Sequence, residues 1–307
     1  MMKILVATEK PFAAAAVKQI RDIVDEAGYE LLLLENYKDV SELLNAVADV
    51  DALIVRSDLV TAQVLDSAKK LRIVVRAGAG YDNLDLTACS ARSVVAMNTP
   101  GQNANAVAEL AFEMMLYQAR GGFAGKSGTE LRGKTLGLLA FGNVSKYMNE
   151  IARGFGMVVS AYDPFINEDT FASYKVNKCV SPEELFSSCR YVSLHVPATE
   201  HTKKSIGYEL MKKMPEGAVL VNTARKEVID EDGLLKIMEE RPDFKYLSDV
   251  APDCSAVFQE KYTGRYIFTA KKMGAQTSEA NINAGVAAAR QIVDYFKTGN
   301  EQFRLNK

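Results

Sequence analysis

Apolar residues in this chain fall into short runs, bounded by charged or glycine-containing stretches and separated by segments with helical spacing. From Lys3 to Pro100 the runs KILVAT, ELLLLE, ALIVRS, LRIVVRAG and SVVAMN alternate with helical patterns around Val17 to Ala27 and near Val40 to Ala48. Alternation of this kind predicts a parallel α/β sheet with helices covering both faces. Asn105 to Arg120 is rich in Ala, Leu and Met and contains no Gly or Pro, so it predicts a long buried helix that carries the chain into a second domain. After the polar stretch GGFAGKSG a second series follows: KTLGLLAFG, MVVSAYD, YKVNKCV, YVSLHVP, GAVLVNTA, YLSDVAP and RYIFTAKK. The last helical pattern, Ser278 to Thr298, has little to pack against by itself and is expected to return to the first domain. The expected fold is therefore α/β, two doubly wound parallel-sheet domains with a cleft between them. Residues 1–100 with 283–307 are expected to form one and residues 101–282 the other.

The chain has 307 residues, 48% hydrophobic and 25% charged, enough for two domains with a core each. Its net charge of -2 comes from basic and acidic residues mixed along the chain, with no basic tract to follow a phosphate backbone, so no nucleic-acid partner is expected. The longest apolar runs are strand-sized, far short of the ~20 residues that span a bilayer, so no membrane partner is expected. MMKILVATEK reads as a first strand and not as an export signal. Cys89, Cys179, Cys189 and Cys254 form no C-x-x-C pair, and two histidines are too few for the usual metal spacings. A reducing, cytoplasmic setting and no metal are expected.

In LGLLAFGNVSKYMNEIARGFG a strand passes into a helix through a turn holding Gly142, and Asp163 follows at the end of the next strand, about 20 residues on. Such a turn places a pyrophosphate on the N-terminus of the helix that begins near Asn143 and Val144, while the carboxylate takes the ribose hydroxyls. A carboxylate there repels a 2′-phosphate, so the expected cofactor is NAD and not NADP. The G-x-G-x-x-G pattern is nonetheless incomplete. Ala140 stands at its first glycine and Ser145 at its third, and a Cβ at the tight-turn position costs ~1 kcal/mol if that residue needs an unusual backbone angle. By itself the turn also fits an ordinary βα connection, and Asp163 an ordinary turn former.

Six further blocks in order, VRAGAGYDNLD, NTPGQNANAVAEL, LRGKTLGLLAFGNV, VSLHVPATEHTKKSIG, VLVNTARKEVIDEDGLL and GAQTSEANINAG, resemble the D-isomer-specific 2-hydroxyacid dehydrogenase family over nearly the whole chain. Arg56 and Ser57 in IVRS, Ala79 and Gly80 in RAGAGYDN, and Asn103 are similar to positions that line the substrate site in its phosphoglycerate dehydrogenase branch. The resemblance implies NAD-dependent oxidation of D-3-phosphoglycerate to 3-phosphohydroxypyruvate, the opening step of serine synthesis. It also implies a small-molecule substrate, a homodimer, and cofactor contacts from Gly142, Asn143, Val144, Asp163, Pro197, Thr202, Thr223, Ala224 and Asp249. Arg225 in VNTARK matches the family's catalytic arginine, whose planar fork holds a carboxylate and polarises the 2-keto oxygen. Asp249 matches the position that meets the nicotinamide amide.

The chain departs from the family after Asp249. Cys254 occupies the place of the usual glutamate, with Asp253 one residue earlier, and FTAKKMGAQT has lysine where a histidine precedes I-G. The glutamate of such a pair orients the imidazole and raises its pKa. A lysine, with an ordinary pKa of about 10.4, is already protonated and needs no such partner. It is a competent general acid beside Arg225, as in a short branch of phosphoglycerate dehydrogenases that this sequence resembles. Alignment leaves Lys271 and Lys272 both open, and Lys272 is preferred.

His195 in SLHVP is expected to be a packed structural histidine and His201 to be exposed. Lys10 follows the first strand, where it reads either as an ordinary surface lysine or as a contact to a substrate phosphate. The sequence ends at Lys307, just after the final helical pattern, so no appended regulatory domain is expected. Two competing functions remain: a glyoxylate or hydroxypyruvate reductase of the same family, and a nucleotide-binding scaffold without turnover.

Overall fold

A computed structural model describes residues 1–307. The first series of elements is β1 (Lys3–Thr8), α1 (Ala14–Glu26), β2 (Glu30–Glu35), α2 (Val40–Ala46), β3 (Ala52–Val55), α3 (Ala62–Ser67), β4 (Ile73–Arg76), α4 (Leu86–Ala91) and β5 (Val95–Asn98). The second opens with α5 (Ala104–Ala119), β6 (Thr135–Leu139), α6 (Asn143–Gly154), β7 (Val158–Tyr162), α7 (Glu168–Ser173), β8 (Asn177–Lys178), α8 (Pro182–Ser188) and β9 (Tyr191–Leu194). It continues through α9 (Tyr208–Met211), β10 (Val219–Asn222), α10 (Glu231–Glu240), β11 (Lys245–Ser248), α11 (Ser255–Lys261) and β12 (Tyr266–Phe268). The closing helix is α12 (Ser278–Thr298). The chain divides into two compact units, Met1–Asn103 with Gln276–Lys307, and Ala104–Ala275.

In the first unit five strands pair in parallel in the order β2-β1-β3-β4-β5. Successive side chains of a strand point to opposite faces, so each strand feeds two cores. Ile4, Val6, Ile54, Ile73 and Val75 face Ile20 and Val24 of α1 and Ala288, Ala289 and Ile292 of α12. Leu5, Ala7, Leu53, Val55 and Val74 face Leu43, Val64, Leu65 and Cys89 on the other side. The alanines of α12 let it lie close to α1: a Cβ on Gly285 would come within 3.0 Å of both Ile20 and Phe12. Asn306 accepts from the Ala96 N–H and donates to the Val94 carbonyl, which covers part of the exposed edge of β5.

In the second unit seven parallel strands run β12-β11-β10-β9-β6-β7-β8. Chain direction across the sheet reverses between β6 and β9, the topological switch point at which open α/β sheets leave a crevice beyond the carboxyl ends of their strands. One core packs α5 and α6 on the sheet through Ala108, Ala111, Phe112, Met115, Met148 and Ala152. The opposite core packs α8, α9 and α10 through Leu185, Phe186, Met211, Leu234 and Ile237. Two apolar runs form less strand than their pattern predicts. YKVNKCV contributes only Asn177–Lys178, both exposed on the sheet edge, and RYIFTAKK stops pairing at Phe268.

Candidate active site

The turn after β6 is built by backbone strain held in place by two polar side chains. Ala140, at the first glycine position, has φ +69, so the left-handed angle required there is carried by a residue with a Cβ. Ser145, fully buried at the third glycine position, donates its hydroxyl to the Ala140 carbonyl at 2.6 Å. Asp163, after β7, accepts from the Phe141 N–H at 2.8 Å and from the Phe165 N–H at 2.9 Å. Gly142 is the N-cap of α6, with no side-chain cap and nothing within 4 Å of the place a Cβ would take. Gly142 and Asn143 are exposed and Val144 half-buried. An uncapped helix N-terminus with open space in front of it and a carboxylate at the next strand end suits a dinucleotide. The Asp163 oxygens hold the turn together and retain lone pairs for ribose hydroxyls.

His195 follows β9 at the switch point, and Thr223 follows the neighbouring β10. His195 Nε2 and Thr223 Oγ1 are both buried without a hydrogen-bond partner, and burial pushes the imidazolium down to about 3, so His195 is neutral. His195 is half-buried, so the expectation of a packed histidine is met only at this nitrogen, whose unsatisfied polar capacity a bound cofactor can use. The loop after β9 closes on itself: Thr202 Oγ1 donates to the Pro197 carbonyl and accepts from the Thr199 N–H. His201 is exposed.

Two cations meet at the end of β10. Arg225 Nη1 donates to the Ala224 carbonyl at 3.1 Å, and Lys272 Nζ, forty-eight residues away in sequence, donates to the same oxygen at 3.0 Å. The residues chosen from the sequence as arginine and acid therefore share one acceptor, whereas Lys271 is simply exposed. Asn222 supports the turn by donating to the Arg225 carbonyl at 3.0 Å and accepting from the Ala224 N–H at 3.0 Å. Asp249, 1% exposed, turns both oxygens toward the loop that carries Lys272. Asp253 is exposed and paired with Lys226 at 2.5 Å. The Cys254 thiol is pushed up to about 12, by burial first and then by Glu231, so it stays protonated and is no acid–base group at neutral pH. Glu231, which no motif singled out, accepts from the Asp253 and Cys254 N–H groups at 2.9 and 2.8 Å.

The first unit holds its own polar cluster at the carboxyl ends of β1, β3 and β4. Arg56 donates to the Lys10 and Pro11 carbonyls and to Asn281 Oδ1 at 2.6 Å, and lies 5.2 Å from the Phe12 ring centroid. Burial lowers its pKa, and three of its donors are engaged within the unit. Ser57 and Ala79 are exposed, while Gly80 and Asn103 are half-buried. Lys10 is exposed. Asp58 was not legible as a site residue, yet it is 4% exposed and accepts from the Glu9 N–H, the Arg56 N–H and the Tyr37 hydroxyl. Its signal is visible only once distant strand ends are brought together.

Residues 105–260 match the NAD binding domain of the D-isomer specific 2-hydroxyacid dehydrogenases. The chain is 33% identical over 298 residues to a hydroxypyruvate reductase of Thermotoga maritima, covering 89% of this chain and 96% of that protein. It is 33% identical over 306 residues to a D-3-phosphoglycerate dehydrogenase of Methanocaldococcus jannaschii, covering 95% of this chain but only 57% of that longer protein. Among solved structures it is similar to the NAD+-bound 3-phosphoglycerate dehydrogenase of Entamoeba histolytica, with 50% identity, a TM-score of 0.88 and coverage of 100% and 99% of the two chains. The open turn after β6, the paired cations at Ala224 and these similarities lead to one assignment: the chain belongs to the D-isomer specific 2-hydroxyacid dehydrogenase family and contains its NAD-binding domain.

Proposed function

We infer that this protein oxidises D-3-phosphoglycerate to 3-phosphohydroxypyruvate with NAD, opening serine synthesis. The observation that carries this reading is the meeting of Arg225 and Lys272 at the Ala224 carbonyl. Arg225 holds the substrate carboxylate with its fork and polarises the oxygen on C2. Lys272, when neutral, takes the proton from the C2 hydroxyl, and in the reverse direction its ammonium returns that proton to the keto oxygen. Bound NAD would supply the acceptor for the hydride on C2. The N-terminus of α6, from Gly142 to Val144, would hold the pyrophosphate, and Asp163 the ribose hydroxyls. Pro197, Thr202, Thr223, Ala224 and Asp249 complete the cofactor contacts. Arg56, Ser57, Ala79, Gly80 and Asn103 bind the substrate, with Arg56 held in one orientation by its bonds to Lys10, Pro11 and Asn281.

A second reading, reduction of glyoxylate or hydroxypyruvate, is supported by the Thermotoga maritima relative, which this chain matches almost end to end. The two separate in one assay that follows NADH absorbance. A higher kcat/KM for D-3-phosphoglycerate than for D-glycerate supports the first reading. Preference for the unphosphorylated acids supports the second, and NADH binding without turnover on any of them leaves a scaffold. We also propose a homodimer, supported by Tyr117 at the end of α5 and Phe123 just beyond it, both exposed and packed edge to face; sedimentation equilibrium tests it. A cytoplasmic location fits the four free thiols.

A further inference from the structure

Lys272 sits on a segment with little structure of its own. Strand β12 is three residues long and half-buried on the sheet edge, and the chain from Ala270 to Met273 is exposed and forms no helix or strand. A lysine has many rotamers on a flexible stem, and proton transfer requires its nitrogen within hydrogen-bond reach of one oxygen. Something must hold the backbone from which it reaches.

Asp249 supplies that hold. From the end of β11, the strand beside β12, its Oδ1 accepts from Thr269 Oγ1 at 3.1 Å and from the Met273 N–H at 2.7 Å, and its Oδ2 accepts from the Gly274 N–H at 2.8 Å. The donors bracket Lys272, one on its N-terminal side and two on its C-terminal side. Glycine at 274 is explained by the same contact, since a Cβ there would fall 2.9 Å from Asp249 Oδ2 and 3.2 Å from Val107. A carboxylate is the side chain that accepts at every lone pair. Asparagine would turn an N–H toward one of these donors. Taking a carboxylate out of water is costly, and three charge-assisted bonds to one loop offset that cost.

We propose that Asp249 is the positioning residue for Lys272, setting the proton-transfer group through the loop of residues 269–274. This rests on the reading of Lys272 as that group. It also accounts for the departure at Cys254. An imidazole needs a side-chain partner to fix its ring, and an ammonium does not, so orientation passes from a glutamate to the pinning of the lysine's own backbone. One lone pair of Asp249 remains for a cofactor amide, so action on the cofactor is the alternative to be tested.

The test compares Asp249→Asn, Thr269→Val, Lys272→Met and the double variant Asp249→Asn/Lys272→Met. It measures kcat, KM for NAD, NADH affinity by fluorescence, and amide hydrogen exchange at Met273 and Gly274. Displacing a reacting group by ~1 Å costs on the order of 100-fold in rate, so Asp249→Asn should lower kcat about 10- to 100-fold. Thr269→Val, which removes one bond without touching the carboxylate, should lower it less. NADH affinity, to which Asp249 also contributes, should fall by far less than kcat, and both amides should exchange faster in Asp249→Asn. The double variant should turn over no more slowly than Lys272→Met alone. The proposal is overturned if Asp249→Asn weakens NADH in proportion to its loss of kcat/KM while both amides keep their protection. It is equally overturned if the two substitutions multiply in the double variant. Full turnover by Lys272→Met sinks the lysine reading itself, and no Asp249 variant is needed to see that failure.

Discussion

Asp58 in the first unit and Asp249 in the second are both buried carboxylates just past the end of a parallel strand, and each accepts three hydrogen bonds. They differ in where the donors come from. Those of Asp58 lie after three strands: Glu9 after β1, Tyr37 after β2 and Arg56 after β3. Those of Asp249 all lie on the one loop after β12. A carboxylate shared by three strand ends ties the rim of a sheet, so its loss is felt as stability. A carboxylate spent on one loop fixes one side chain, and its loss is felt as rate. Placed alike, the two groups serve different ends because their donors are distributed differently.

The largest effect that bears on this contrast is expected at the side chain Asp249 serves. Lys272→Met should lower turnover in both directions by ~10²–10⁴-fold, the usual worth of a proton-transfer group, with NADH binding retained. In the parent the oxidation rate should climb with pH to an apparent pKa well above the histidine value of about 6.5. A parent profile that levels off near the histidine value would remove lysine from the chemistry.

Next comes Asp58→Ala. It leaves two backbone N–H groups and a buried hydroxyl without their acceptor, and should destabilise the first unit by about 3 kcal/mol in urea titrations. A loss below about 1 kcal/mol, with kcat falling instead, would make Asp58 the same kind of device as Asp249.

Tyr37→Phe removes a single bond to Asp58 and should cost about 1–2 kcal/mol. It carries a pH signature as well. Burial, and then Asp58, raise the Tyr37 pKa above its ordinary value of 10.0, so the folded protein keeps a proton that the unfolded chain has lost. The stability from Tyr37 is complete below about pH 10 and is lost as pH rises toward the folded pKa. The variant should therefore lose stability less steeply than the parent above that pH, and identical alkaline slopes would break the assignment.

The smallest effect is expected at Ala140, in the turn that a third carboxylate, Asp163, holds together with Ser145. Ala140→Gly relieves a left-handed angle but adds chain entropy to the unfolded state, so a net gain of roughly 0.5 kcal/mol is expected. A loss of stability would show that the turn is not strained by its Cβ.

Much of this molecule is legible in its order of residues. Strands such as Ala52–Val55 and Val219–Asn222 are buried at every position, and burial on both faces is what writes a continuous apolar run into a sequence. The α12 pattern from Ser278 to Thr298 is legible for a related reason, since its alanines and Gly285 mark a helix that must approach another closely. Arg225 was named from a specific block and Lys272 preferred over Lys271 beside another, and the fold brings both side chains to the Ala224 carbonyl. The edge segments read less well: Asn177–Lys178 and the chain beyond Phe268 lie where one side of the sheet is missing, and an apolar run there does not guarantee a partner. The positive φ of Ala140 was beyond sequence reading, because a small residue at a turn is compatible with either sign and its neighbours Ser145 and Asp163 decide which is held. Tertiary structure alone also placed Lys272 on the oxygen Arg225 uses, and gave Asp58, Asp249 and Glu231 their donors. A carboxylate after a strand has one sequence signature whether it closes a turn, binds a ribose or pins a distant loop. Which of these it does depends on the donors the fold brings within about 3 Å of it, and most of those lie tens of residues away.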